Sequence, residues 1–407
     1  MSGASNAVLK EEIYLPPDFE TLAAAYRPQF AAIAKGAAER DRRRELPHAE
    51  VQALLKSGFG ALRIPRQYGG SGASISQLFR LIIELAEADS NIAQIFRVHF
   101  GFVESLLNKQ DISLRQVWFA RIVNGSFVGA AMSEQSGVGD LSIQIAQRNG
   151  HWYVDGEKYY STGALFADWI NVIVKEGDDY VDLVVPARGE GVTLIDDWDG
   201  FGQRLTGSGT TRFENVRVEN DQILHRFPPE ALRAGFSYLH PAFYQQVHLA
   251  TLAGIVRAAL RDAVDYARAR TRTFLVPGIS RPQDDPLVQR VIGRLSSLSF
   301  AADAIVDSVS AKLQVAYERQ QAGGAANDDI AFIEADLAAF QGQQIVIELA
   351  LQATNLLFEV GGASAVGDRH GFDRHWRNAR TLASHNPAIL REPVIGAYRL
   401  KGVSPRA

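Results

Sequence analysis

An α+β chain, mainly α, is predicted on three observations. Both ends carry long stretches with apolar residues three and four apart, rich in Ala, Leu and Glu, which is the period and composition of amphipathic helix. The middle breaks into short runs of β-branched and aromatic residues punctuated by Gly, Asp and Asn, the pattern of strands and turns. The 407 residues suggest two to three domains at about 150 residues each. The divisions fall at 1–125 for an N-terminal helical domain, 126–222 for a central β-domain and 223–407 for a C-terminal helical bundle.

Helices are expected at Phe19–Arg40, Glu45–Ser57, Ile75–Ala88 and Ile92–Leu107, with Pro47 in a first-turn position. Gly69-Gly70-Ser71-Gly72 lies between the second and third; it lacks the Lys and helix of a phosphate loop and reads as a turn. Strands are expected at Ile143–Arg148, Trp152–Val154, Trp169–Val174, Tyr180–Pro186, Thr210–Phe213 and Val216–Val218, forming an antiparallel barrel or sandwich. Val247–Thr271, Pro286–Arg319 and Ile330–Phe358 are long amphipathic patterns joined by short polar breaks, which suggests an antiparallel bundle.

Composition removes several function classes. Hydrophobic residues make up 46% and charged residues 22%, both ordinary for a globular protein, so fibrous and disordered classes are excluded. A net charge of −4 gives no basic field for nucleic acid. The chain has no cysteine, which excludes disulfides, thiolate metal sites, iron–sulfur clusters and a cysteine nucleophile. No pair of His or carboxylate residues has metal-ligand spacing. The N-terminal stretch carries Glu11 and Glu12 without an apolar run, and no membrane-length apolar segment follows, so a cytoplasmic protein is expected.

Four motifs follow in order. Ala130-Ala131-Met132-Ser133-Glu134-Gln135-Ser136-Gly137-Val138-Gly139-Asp140 resembles the acyl-CoA dehydrogenase motif Ala-Leu-Thr-Glu-Pro-x-Ala-Gly-Ser-Asp. Gly156-Glu157-Lys158-Tyr159-Tyr160-Ser161-Thr162-Gly163 resembles that family's Gly-x-Lys-x-Trp-Ile-Thr-Asn. Gly202–Ser208 with Phe213–Val218 resembles its Gly-x-Arg-x-Ser…Phe-x-x-Val-x-Val run, and Gly361-Gly362 with Arg377-Asn378-Ala379-Arg380 its Gly-Gly-x-Gly…Arg-Asp-x-Lys segment. The resemblance covers nearly the whole chain. It implies an acyl-CoA dehydrogenase-like fold, with a C-terminal four-helix bundle, and a homotetramer.

The departures set the chemistry. A glutamate base stands in many members nine residues after the first Arg of Arg-Asp-x-Lys; here that position is Asn386, and an amide cannot take a proton as a general base. The alternative location, Val247–Val256, carries no carboxylate. Instead Ser384-His385-Asn386-Pro387, with Phe372–Thr381, Ala88-Asp89-Ser90, Phe96–His99 and Asp196-Asp197-Trp198, resembles the dibenzothiophene monooxygenase branch. That resemblance implies a two-component monooxygenase. Reduced FMN would come from a separate reductase, and a C4a-hydroperoxyflavin would oxygenate a small apolar or aromatic substrate at sulfur, nitrogen or a ring. It implies catalytic roles for His99, Thr162 and His385. Met132, Ser133, Tyr160, Ser161, Thr162 and Trp198 would line the flavin ring. Arg272 would reach a neighbouring subunit's flavin phosphate, with Ser364 donating to the same phosphate. Ala130 stands where the branch has an amide.

Two rivals remain: an acyl-CoA dehydrogenase or nitroalkane-type oxidase with FAD, and a catalytically silent scaffold. Read without the resemblance, His99 in an apolar helix is a satisfied core histidine. His240 and His248 lie on the substrate-side helix. His370 and His375 read as surface or interface groups. Arg374, Arg377 and Arg380 recur every three residues and point to a subunit interface.

Overall fold

The computed structural model describes residues 16–109, 111–134, 142–229, 231, 239–273, 277–323 and 329–406. The chain opens with α1 (Phe19–Ala24) and α2 (Arg27–Arg43) rather than the single helix expected there. Pro28 is the reason: it has no N–H to donate to the carbonyl of Ala24, and its ring crowds that carbonyl. After α3 (His48–Lys56), α4 (Ile75–Ala88) starts in a capping box: Ser74 Oγ accepts from the Gln77 amide at 3.1 Å, and Gln77 Oε1 from the Ser74 amide at 2.9 Å. Asp89 caps α5 (Ser90–Leu107) and also pairs with Arg40 of α2 at 2.9 Å, so the start of α5 is tied to the outer helices. The sequence pattern did not predict α6 (Ile112–Val123); its buried residues are Trp118, Phe119 and Ile122, a short stripe broken by Arg115 and Arg121.

Strands β1 (Val128–Ala131), β2 (Gln144–Arg148), β3 (His151–Lys158), β4 (Trp169–Glu176), β5 (Asp179–Pro186), β6 (Val192–Leu194), β7 (Thr211–Val218) and β8 (Ile223–Phe227) form one sheet in the order β6-β7-β3-β2-β4-β5-β8, with β1 paired to β4. Two corrections follow. The β1–β4 and β2–β4 pairings are parallel, so the sheet is not purely antiparallel. It also runs past the expected boundary at 222, because Ile223–Phe227 pairs with β5. The two strands expected at Thr210–Phe213 and Val216–Val218 are one strand, in which Glu214 and Asn215, the latter at φ 54°, form a bulge opposite Asp155 of β3.

The C-terminal part holds α7 (His240–Ala269), α8 (Pro286–Gln321), α9 (Ile330–Leu356), α10 (Asp373–His385) and α11 (Arg391–Lys401). Helix α7 is the axis of this region: α4 and α5 lie against one side of it, α8 and α9 against another. Gly254 permits that approach, since a Cβ there would stand 2.4 Å from Ala86 Cβ. Helix α7 begins seven residues before the expected Val247, with Pro241 in its first turn. Two of the three arginines on the face of α10, Arg374 and Arg377, are paired within the chain. Arg374 and His375, the latter 5% exposed, both reach Asp262 at 2.8 Å, and Arg377 pairs with Asp41 and Asp373. His375 is therefore a core group. Among the described residues no helix is long and apolar enough to cross a membrane.

Candidate active site

A cavity of about 900 Å³ opens where α5, α7 and α10 face the rim of the sheet. It is large enough for a cofactor ring and a small second molecule together. Helix α5 contributes Gln94, Arg97, Val98 and Gly101, spaced three and four apart as one helix face requires. Gly101 is needed there, because a Cβ would fall 2.1 Å from the Tyr244 hydroxyl of α7. Met132, Ser133, Tyr160, Thr162 and Trp198 border the sheet side, and Leu382, Ser384, His385 and Asn386 the α10 side.

The sheet-side wall begins with a buried ion pair. Lys158, fully buried, donates to Glu134 at 2.8 Å, and Glu134 also accepts from the Ser142 amide at 2.9 Å. Burial lowers the ammonium pKa, while against the upward push of burial the bonds from Lys158 and Ser142 hold the carboxyl low. This pair fastens the Met132–Glu134 segment to the end of β3. Tyr160, at φ 58°, and Thr162 face the cavity, whereas Ser161 is 1% exposed, points away from it and leaves its hydroxyl without a partner among the described residues.

Thr162 heads a row of hydroxyls. Its Oγ1 lies 2.8 Å from Ser208 Oγ, which lies 2.7 Å from Thr206 Oγ1; Thr206 donates to the Gln203 carbonyl at 2.9 Å. A carbonyl only accepts, so the row has one direction: Thr162 donates to Ser208, and Ser208 to Thr206. With its proton committed to the protein, Thr162 presents lone pairs to the cavity. Tyr160 stands edge-on to Trp198, 6.1 Å between ring centres, and Trp198 is fixed by its indole N–H to the Gly202 carbonyl at 3.2 Å.

At the C-terminus of α10, His385 lines the cavity, reached by solvent through it while enclosed by protein. Its Nδ1 is 3.2 Å from Asn386 Oδ1, an acceptor, so the proton sits on Nδ1 and Nε2 offers a lone pair. Asn386 is held in turn: its Nδ2 donates to Gln245 Oε1 at 2.8 Å, and Gln343 donates to its carbonyl at 2.8 Å. The His385 ring lies 4.3 Å from that of His248, which faces Gln94 Nε2 at 3.4 Å. Burial keeps both imidazoles neutral at pH 7; the positive charge of Arg97 also lowers both, and His385 further lowers His248.

His99 is a correction to the expected site. It is absent from the cavity wall and fully buried, stacked on Phe127 at 4.9 Å and 12°. Its Nδ1 accepts from the Val128 amide at 3.2 Å and its Nε2–H donates to the Gly60 carbonyl at 3.0 Å, so neither nitrogen is available for chemistry. Arg272 and Ser364 are exposed and also lie outside the cavity. Gln135–Asp140 of the first motif fall outside the described residues. Residues given no role from the sequence complete the wall: Gln203, Thr206, Ser208 and Arg97, which lie within the matched motifs, and Gln94, Tyr244 and the Asn171–Asp182 pair, joined at 2.6 Å, which lie outside them.

Comparison with known proteins places this geometry. The N-terminal, middle and C-terminal domains of acyl-CoA dehydrogenase match residues 20–126, 129–216 and 247–388. The chain belongs to the acyl-CoA dehydrogenase family. Among curated relatives, a probable FMNH2-dependent monooxygenase, SfnC, of Pseudomonas putida is 30% identical over 380 residues, covering 92% of this chain and 93% of the relative. Dibenzothiophene monooxygenase of Rhodococcus erythropolis is 29% identical over 383 residues, covering 91% and 90%. The crystal structure of FMN-bound TdsC from Paenibacillus sp. A11-2 superposes with a TM-score of 0.87 at 26% identity, covering 95% of this chain and 98% of that one.

For an acyl-CoA dehydrogenase-family chain, the cavity is short of carboxylates. Asp182 is the one carboxylate among its described lining residues. It is bonded to Asn171, and burial raises its pKa despite the positive Lys109 nearby. Where the family's glutamate base would stand, Asn386 is occupied in holding His385.

Proposed function

We propose that this chain is the oxygenase component of a two-component, reduced-FMN-dependent monooxygenase acting on a small, largely apolar or aromatic substrate. The observation that carries the reading is the pairing, in one cavity, of a committed hydroxyl acceptor at Thr162 with a neutral histidine at His385 whose Nε2 is free of protein partners among the described residues. The wall fits a flavin ring. Met132, Tyr160 and Trp198 supply flat and polarizable surface, and Thr162 supplies an acceptor for a ring N–H.

Reduced FMN, when bound, supplies the two electrons with which one oxygen atom of O2 enters the substrate and the other leaves as water. The rest falls to this chain. Thr162 orients by accepting at Oγ1, the row behind it preventing the hydroxyl from turning. His385 can take and return a proton at Nε2, and Asn386 fixes its tautomer. Val98, Phe102, Ile173 and Leu382 line the wall with apolar surface, which limits water around the reacting atoms. His99 supports the wall from behind.

A flavin reductase is the reduced-FMN donor. In this reading the protein works in the cytoplasm as a homotetramer, and Arg272 and Ser364 meet the flavin phosphate across a contact between copies; their exposure and distance from their own cavity support that arrangement.

The test is an anaerobic titration of the purified protein with reduced FMN and reduced FAD, followed by tryptophan fluorescence. Saturable binding that favours FMN is expected. Purification with tight FAD, or no binding of either, overturns the reading in favour of a dehydrogenase-type or silent protein.

A further inference from the structure

Among its described lining residues the cavity has one permanent positive charge, which the reaction described above does not use. Arg97 rises from α5 into the space between α5, α7 and α10. Its guanidinium lies over the Tyr244 ring, 4.5 Å from the ring centre, and its Nε donates to the Tyr244 carbonyl at 3.4 Å. These contacts fix the plane of the group without neutralising it. No carboxylate pairs with Arg97 among the described residues, and neither terminal nitrogen has a protein hydrogen-bond partner there.

Its surroundings sharpen the point. His240, His248 and His385 are each kept neutral partly by its charge. Asp182 acts on Tyr244 as well, in the opposite sense to Arg97, but is bonded to Asn171 and answered by Lys109. Burial lowers the Arg97 pKa to about 10, which still leaves it charged at neutral pH. An enclosed, uncompensated charge is costly, and a fork with its plane fixed and its outer N–H groups open suits a bidentate oxyanion.

We propose that Arg97 is the substrate's anion-binding residue: the substrate carries an oxyanion head, such as a carboxylate, held by the Arg97 fork, with its apolar body along Val98, Phe102 and Ile173 toward Thr162. This deepens the monooxygenase reading and rests on it for the word substrate. It narrows an apolar or aromatic guest to an amphiphilic one. The binding itself can be measured without turnover.

The probes are benzoate and its neutral isostere benzamide, titrated calorimetrically into the protein with and without FMN. Wild-type protein is expected to bind benzoate at least about tenfold tighter than benzamide, the range of one charge-assisted bidentate contact. Arg97→Met should remove that preference, and Arg97→Lys, keeping the charge but not the fork, should retain part of it. Thermal melts of both variants confirm that they fold. Equal binding of the two probes to wild type, or an undiminished benzoate preference in folded Arg97→Met, overturns the proposal. So does a parallel loss of reduced-FMN affinity in Arg97→Met, which would assign the charge to the flavin. If wild type binds no flavin but prefers benzoate through Arg97, the monooxygenase reading fails and the anion site stands.

Discussion

Replacing His99 with phenylalanine separates a supporting role from a chemical one. Phenylalanine keeps the ring and its stacking on Phe127 but removes both nitrogens. The Gly60 carbonyl then loses its donor and the Val128 amide its acceptor, in a region His99 fills with no exposure. Each orphaned backbone group costs about 1–3 kcal/mol, so His99→Phe should destabilise the protein by about 2–6 kcal/mol. For a chain of this length that is a fall in melting temperature of about 2–7 °C, since the unfolding entropy scales with chain length. Val128 begins the strand that carries Ala130 to the cavity, so some turnover is lost through position. Well below the melting temperature, however, that loss should stay within about tenfold, the scale of a displaced contact rather than a missing acid or base. The assay pairs scanning calorimetry with reductase-coupled oxygen consumption. An unchanged melting temperature with turnover down by two orders of magnitude would refute the reasoning and restore His99 to the reaction.

Three further outcomes follow from the geometry. Ser208→Ala removes the middle of the hydroxyl row, frees the Thr162 hydroxyl to turn and should lower the product formed per NADH by about tenfold, the worth of one oriented hydrogen bond; Ser208→Thr should restore it, and unchanged coupling in Ser208→Ala would remove the row from the account. His99 and His240 are pushed by burial to about 4 from an ordinary value near 6.5, so the unfolded chain binds more protons than the folded one below that value. Stability is fully present above pH 6.5 and falls as pH drops toward 4, by up to about 3 kcal/mol per histidine, so urea midpoints that match at pH 7.5 and pH 5 would contradict it. Glu134→Gln removes the counter-ion of the buried Lys158 and should cost about 3 kcal/mol or more by chemical denaturation, with an unchanged midpoint counting against the pair's structural role.

What the sequence revealed depended on which physical rule governed each feature. The long helices were legible from apolar residues that run on for several turns; α8 buries one stripe, whereas α7 is buried on every side from Gln245 to Val256. Helix α6 was not, because Arg115 and Arg121 interrupt a stripe of three buried residues. The parallel β1–β4 and β2–β4 pairings are set by long-range packing and leave no local pattern. In the site, Tyr160, Thr162, Trp198 and His385 could be found through motifs and do line the cavity. His99 is placed elsewhere by helix geometry: it follows Arg97 by two residues, about 200° around α5, so a helix that turns Gln94, Arg97 and Gly101 to the cavity turns His99 to the core. Ser161 follows Tyr160, whose left-handed backbone at φ 58° ends the extended run of β3, and it lies outside the cavity wall. The same helix arithmetic, applied to α5 alone, would have brought Arg97 forward in place of His99. Contacts that join distant segments, such as Thr162 with Ser208, His248 with His385, and Asn386 with Gln245, have no local signal in one sequence.

The central claim is that this cavity manages the reaction of reduced FMN with oxygen. Protein loaded anaerobically with reduced FMN, mixed with oxygenated buffer in a stopped-flow instrument, tests it most directly when flavin absorbance and free peroxide are followed together. Oxygen is expected to be consumed first, oxidised-flavin absorbance and peroxide to appear only after a delay, and His385→Ala to shorten the delay. Oxidation of the flavin in one phase at the rate of free reduced FMN, with peroxide released in step, would contradict it.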